Sequence, residues 1–368
     1  MKQSLSNTEL VFFALLQSGL WEKDVKLLPY MPVDFEALYR LAEEQSVVGL
    51  IAAGLEHVVD LDVTKRDALP FLKKVIYLES LNAEMNSLIA WMIKRLEEEK
   101  VLTVLVKGQG IARCYERPMW RAAGDIDLLL DSDNYERAKI LLSQIAQIVH
   151  SEQKTRMHIG MTILSTEIEL HGTLHSGLSY KLDSLLDSTQ NEMFREHQFR
   201  EWVIDNTTIY LPSPDNDIIF IFSHILQHYY KGGIGLRQIC DLCRLLWTFR
   251  TDVNRDLLEQ RLRKMGVISE WQAFATLASE YLGMQKQAIP FFGEAKSRDA
   301  RFLIDSVLET GNFGRNRDLS YQRKHLPVII RKAITLAIQV KDTFKKFRIF
   351  PYNSIRFLFG FIRSRLED

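Results

Sequence analysis

The residues best suited to chemistry lie together in VLTVLVKGQGIARCYERPMWRAAGDIDLLLD, residues 101–131. Asp125 and Asp127 open an apolar run. On a strand, side chains two apart point the same way, so both carboxylates project together while Ile126, Leu128 and Leu130 take the opposite face. Two neighbouring carboxylates repel, and burying either one ionised needs a counter-charge. A divalent cation meets both demands, and hard oxygen ligands suit Mg²⁺ or Mn²⁺. A third carboxylate is available in TEIELHG, where Glu167 and Glu169 share one face; strand parity does not choose between them. Lys107 and Gly108 close the upstream apolar run where the chain must turn. Glycine there lets backbone N–H groups approach a phosphate, and the lysine adds a point charge.

Other polar residues carry two readings each. Arg121 either fixes a phosphate or pairs with an acid. His171 and His175 either touch substrate or metal or, as lone histidines near a strand exit more often do, satisfy backbone groups. His224 and His228 are one helical turn apart, as are Arg237 and Asp241, a spacing that suits an ordinary helix pair as well as a pocket wall. Cys240 and Cys243 stand at i and i+3 of a helical pattern with no second ligand pair at zinc spacing, and read as core thiols.

These residues need a scaffold, and hydrophobic periodicity supplies one. Residues 1–100 read as helices: one stripe through Phe35, Leu38, Leu41, Val48, Leu50 and Ile51 started by Asp34, and another near 74–99. VLTVLV (101–106) and DIDLLLD read as buried strands, and 135–149 as helix. RMHIGMTIL and TEIELHG form a hairpin pair, and WVIDNTTIYLP one further strand with an Asp-Asn turn. At Ser213-Pro214 the pattern returns to helix, with Asp215 and Asp217 in the first turn, and continues to 310 with a break at KGGIG.

The fold expected is α+β. A helical region (1–100) precedes a mixed-sheet core (101–212), then a helical region closing over the cleft (213–320) and a basic aromatic tail (321–368). At 368 residues, more than one packed unit is expected.

Lys plus Arg and Asp plus Glu both total 47, so a nucleic-acid partner is disfavoured. The balance is uneven: residues 321–368 hold 11 basic and 3 acidic residues. A helix near 353–366 would place Ile355, Leu358, Phe359 and Ile362 near one side, with Arg356, Arg363 and Arg365 available to water or anionic lipid. Docking on the core is favoured over peripheral membrane contact. Three thinly spread cysteines fit a reducing compartment, and with no secretory signal or long apolar run the expected location is cytoplasmic.

VKGQGIARCYERPMWRAAGDIDLLL resembles the Lys-Gly and Asp-Ile-Asp pattern of the bacterial uncharacterised nucleotidyltransferase family, a branch of the polymerase-β-type superfamily. The similarity continues through IELHGTLH and GLRQICDL. The resemblance implies a nucleotidyltransferase-like sheet and transfer of a nucleoside monophosphate from a triphosphate to an unknown acceptor hydroxyl. It implies that Asp125 and Asp127 bind the catalytic metals, that Glu169 is third ligand and base, and that Lys107, Gly108 and Gln109 form the phosphate loop. Gln109 departs from the serine of the wider superfamily. The alternative is a non-catalytic nucleotide-binding or regulatory module of the same fold.

Overall fold

The computed structural model describes residues 5–293, 296–312 and 326–367. The N-terminal region is helical, as the periodicity requires: α1 (Asn7–Trp21), α2 (Phe35–Glu44), α3 (Val48–Glu56) and α4 (Lys65–Glu98). Ser6 and Glu9 form a capping box on α1, and Asp34 and Thr64 accept from backbone N–H groups at the starts of α2 and α4. The single stripe expected from Phe35 to Ile51 is two helices, because Ser46 takes a positive φ of 56° between them.

The sheet contains β1 (Val104–Val106), β2 (Ile126–Leu129), β3 (Ile148–Val149), β4 (His158–Ile163), β5 (Thr166–His171), β6 (Phe199–Ile204) and β7 (Thr207–Pro212). Their order is β3-β4-β5-β2-β1-β7-β6. The central pairings are β1–β2 antiparallel, β2–β5 parallel and β1–β7 parallel, so the sheet is mixed.

Three expectations need correction. The first strand starts at Val104 because Val101 N–H is spent on Leu96 O at the end of α4. Residues 135–149 divide into α6 (Ser132–Ser143), capped by Asp131, and the short edge strand β3. WVIDNTTIYLP is a hairpin and not one strand, since Asp205 and Asn206 both take positive φ (45° and 66°), as a tight two-residue turn demands.

Short α5 (Gly108–Ala112) follows β1, and α7 (Tyr180–Arg195) precedes the β6–β7 hairpin. Then come α8 (Pro214–Lys231), α9 (Leu236–Thr248), α10 (Arg255–Met265), α11 (Ile268–Leu282), α12 (Ser297–Thr310), α13 (Val328–Phe347) and α14 (Pro351–Glu367).

Alternation divides the sheet between two cores. Leu105, Ile126, Leu128, Ile168 and Leu170 pack with Met85, Ile89 and Met92 of α4 and Tyr135 of α6. Val104, Val106 and Leu129 join the larger cluster built from α1, α3, α8, α9 and α11. Asp127 therefore faces the α8–α9 side. Cys240 and Cys243 are buried free thiols of that core.

The tail docks through α14. Phe357 is buried against Tyr230, ring centroids 4.7 Å apart. A Cβ at Gly360 would come within 1.9 Å of Leu178 O, so glycine is needed for this approach. Arg356, expected to face outward, donates instead to Met265 O (2.9 Å) and Ser179 Oγ (2.6 Å), while Ile355 and Phe359 are exposed. The side chains of Ile362, Arg363 and Arg365 lie outside the described residues. Among the described residues, no helix is long and apolar enough to cross a membrane.

Candidate active site

Strand register builds the site. Val106 lies opposite Asp127 across β1–β2, and Asp127 opposite Glu169 across β2–β5. Asp125, two residues before Asp127, completes a trio whose ligand oxygens all lie within 4.8 Å of one another. Glu167 sits one repeat further along β5, where its carboxylate accepts from Thr162 Oγ1 at 2.7 Å. Register thus brings Glu169, and not Glu167, to the aspartates.

A buried polar network fixes the loop before β2. Asn82 of α4 donates to Met119 O (2.7 Å) and Arg121 O (3.0 Å), and Gln109 Nε2 donates to Asn82 Oδ1 at 2.7 Å. Gln109, expected to meet phosphate, is therefore turned away from the cleft, and its side chain supports the loop. Arg121 takes the pairing alternative: Nε and Nη2 each lie 2.7 Å from the Asp241 carboxylate, which also accepts from Tyr115 Oη at 2.7 Å. The bidentate contact occupies the face a phosphate would need. Arg237 holds the same loop from α9 by donating to Ala122 O at 3.0 Å. On the outside, Gly49 admits Trp120 O; a Cβ there would approach to 2.0 Å.

Charge within the site is unevenly distributed. Lys107 Nζ lies 2.7 Å from Asp127 Oδ1, reached from a backbone at φ 59°, ψ −148°, a region ordinarily reserved for glycine. His171 Nε2 lies 2.8 Å from the same oxygen. Burial opposes the Asp127 charge, but Lys107 and His171 overcome it and hold the carboxyl below its usual range. At Asp125 the Asp127 charge, then burial, outweigh the opposing attraction of Lys107 and push its carboxyl up. Glu169 is also buried against its charge, yet His158 and His171 hold it far below the usual carboxylate range. Burial opposes the Lys107 charge as well, and Asp127 and Asp125 outweigh it, so Lys107 stays an ammonium.

The trio lies in a cleft of ≈ 300 Å³. Its opposite wall is α8 and α9, presenting His224, Gln227, His228 and Arg237; the turn at Lys154–Arg156 adds Arg156 at the rim. Gly108, at φ 39°, lines the floor beside Asp125. Burial, then Lys107, drive His224 well below its ordinary pKa and His228 to about 4, so both imidazoles are neutral at pH 7. His175 pairs with Asp187 at 2.7 Å.

The chain matches the uncharacterised nucleotidyltransferase family over residues 31–283. It belongs to that family. Among solved structures, this family member is similar to an antigenic nucleotidyltransferase-like protein from Paracoccidioides brasiliensis. Identity is 13%, the alignment covers 59% of this chain and 97% of that one, and the TM-score is 0.35. No curated protein matches it.

In this nucleotidyltransferase family member, the sequence reading missed His158 and Arg156. His158 lies opposite His171 in the β4–β5 hairpin, with ring centroids 4.8 Å apart. Counting outward from the turn at Leu164-Ser165 would have paired them. Those residues take positive φ (48° and 64°) without the Asn or Gly that ordinarily signals such a turn.

Proposed function

We propose that the chain transfers a nucleoside monophosphate from a nucleoside triphosphate to an acceptor hydroxyl, which attacks the α-phosphate in line while pyrophosphate leaves. The observation that carries this reading is the convergence of Asp125, Asp127 and Glu169 on one face of the sheet at the floor of a cleft. Three carboxylates, one of them disfavoured as an anion by its neighbour, are a donor set that fits Mg²⁺ or Mn²⁺. When bound, such ions polarise the transferred phosphoryl group and neutralise its developing charge.

The chain's own residues have distinct parts in this reading. Asp125, Asp127 and Glu169 hold the cations. The resemblance also implied Glu169 as base. A carboxylate flanked by two imidazoles is a poor proton acceptor, so the proposal gives it ligation alone. Gly108 keeps the floor open to phosphate oxygens. Neutral His224 and His228 can donate to those oxygens from the facing wall without competing for the cations. The absence of a basic excess favours a small molecule, a sugar or a protein as acceptor over an RNA end.

The test is calorimetric titration of ATP, GTP, CTP and UTP with Mn²⁺ into the wild type and the Asp125→Asn, Asp127→Asn double variant. Metal-dependent binding that the variant loses is expected. Equal binding by both proteins would refute the assignment and favour a non-catalytic nucleotide-binding module.

A further inference from the structure

The site holds more ligating atoms than three carboxylates account for. His158 Nε2 and His171 Nε2 lie 3.3 and 3.4 Å from the same Glu169 oxygen, Oε2, and the three ligand atoms lie within 4.8 Å of one another. Both separations exceed the usual N–H···O range of about 2.7–3.2 Å. They do match the distance between neighbouring ligands of one ion: with metal–ligand bonds of about 2.1 Å, tetrahedral geometry puts two ligands about 3.4 Å apart. The placement is backbone-determined. His158 and His171 are opposed on β4 and β5, and Glu169 is two residues before His171 on the same face.

We propose that His158, Glu169 and His171 form a second cation position, with mixed nitrogen and oxygen donors, that takes a first-row transition-metal ion in preference to Mg²⁺. The inference rests on the carboxylate site proposed above and extends it. Glu169 has two oxygens and lies at the junction, so it can serve both positions. Imidazole suits Fe²⁺, Ni²⁺, Cu²⁺ and Zn²⁺, with Co²⁺ between Fe²⁺ and Ni²⁺ in the affinity order, whereas Mg²⁺ and Mn²⁺ favour oxygen ligands. Seating an ion draws the two rings closer together and replaces the His171 contact to Asp127. His158 is half-buried and lines the cleft, so the position is open to an incoming ion.

The experiment uses the full chain stripped of metal and titrated with Co²⁺, followed by its visible absorption, with and without a hundredfold excess of Mg²⁺. The wild type should bind Co²⁺ and retain it against Mg²⁺. His158→Gln, at a half-buried position that tolerates the change, should weaken Co²⁺ binding at least about tenfold, and His171→Gln likewise. A second readout needs no variant: pulsed EPR of the Cu²⁺-loaded wild type should show imidazole nitrogen couplings. Absence of Co²⁺ uptake, unchanged affinity in His158→Gln or free displacement by Mg²⁺ overturns the inference. Loss of nucleotide binding with the Co²⁺ site intact would instead sink the transfer reaction and leave this position standing.

Discussion

Asp125→Asn and Asp127→Asn look equivalent in an Asp-x-Asp motif, yet the structure predicts opposite effects on stability. Asp127 accepts two charge-assisted contacts, from Lys107 and His171 at 2.7 and 2.8 Å. Asparagine still offers an oxygen to each, but the acceptor is no longer an anion, so each contact weakens by about 1 kcal/mol. The buried ammonium also loses its nearest counter-charge, though Asp125 and Glu169 remain near it, which brings the total to about 2–3 kcal/mol. Asp125→Asn removes a repulsion and should stabilise by up to about 1 kcal/mol. The assay is equilibrium urea unfolding in EDTA.

The pH dependence fixes the sign. The stability Asp127 supplies is present above the unfolded carboxyl value of about 4 and is lost as pH falls through its lower folded value. Asp125 has a raised folded value, so the advantage of the Asp125→Asn variant over wild type grows as pH rises through that value and closes on acidification. Adding Mn²⁺ at a hundredfold excess over its Kd should then stabilise wild type by about 2.7 kcal/mol and the Asp125→Asn variant by much less. Equal destabilisation by both substitutions in EDTA, or the reverse order, would refute the reasoning.

Other outcomes follow from contacts elsewhere. Arg121→Ala should cost about 3–5 kcal/mol by stranding Asp241 in the core, and an apolar pair at both positions should restore much of it, as read by urea midpoints. His228 is held at about 4, so the unfolded chain takes up the proton first as pH drops below 6.5. Its contribution to stability is fully present above that pH and lost towards pH 4. His228→Gln should flatten this fall by about 1–2 kcal/mol, the value left after discounting for contact with water, as followed by urea unfolding across that range. Phe344 and Phe359 are exposed on α13 and α14, and Lys341 and Arg348 lie on or beside α13. If these helices meet anionic lipid, Phe344→Ser with Phe359→Ser should reduce co-sedimentation with phosphatidylserine vesicles. No salt-sensitive binding by the wild type would end that proposal.

What could be read from the sequence was what is local. Asp125 and Asp127 share a side because side chains alternate along a strand, and the Ser213-Pro214 start of α8 is written in adjacent residues. The choice of Glu169 over Glu167 was not local: it depends on the parallel pairing of β2 with β5, whose partners are 42 residues apart. Arg121 gave no sign of Asp241, its partner 120 positions away. The direction of the Gln109 side chain was not legible for a related reason, since in so short a helix it is set by the Asn82 that receives it on α4. The tail's apolar stripe was correctly placed on a helix, but Phe357 and Gly360, and not Ile355 and Phe359, decide which side docks.

The Lys107 contact to Asp127 also bears on how the protein comes into being. Many small metal-binding domains cannot fold until the ion arrives, because ion binding supplies their folding free energy. Here an ammonium carried by the chain already stands beside the most buried of the three site carboxylates. On the proposed cation-binding reading, folding and metal loading are then separable in time: metal-free chain should already be folded, ready to take up ions when they are supplied.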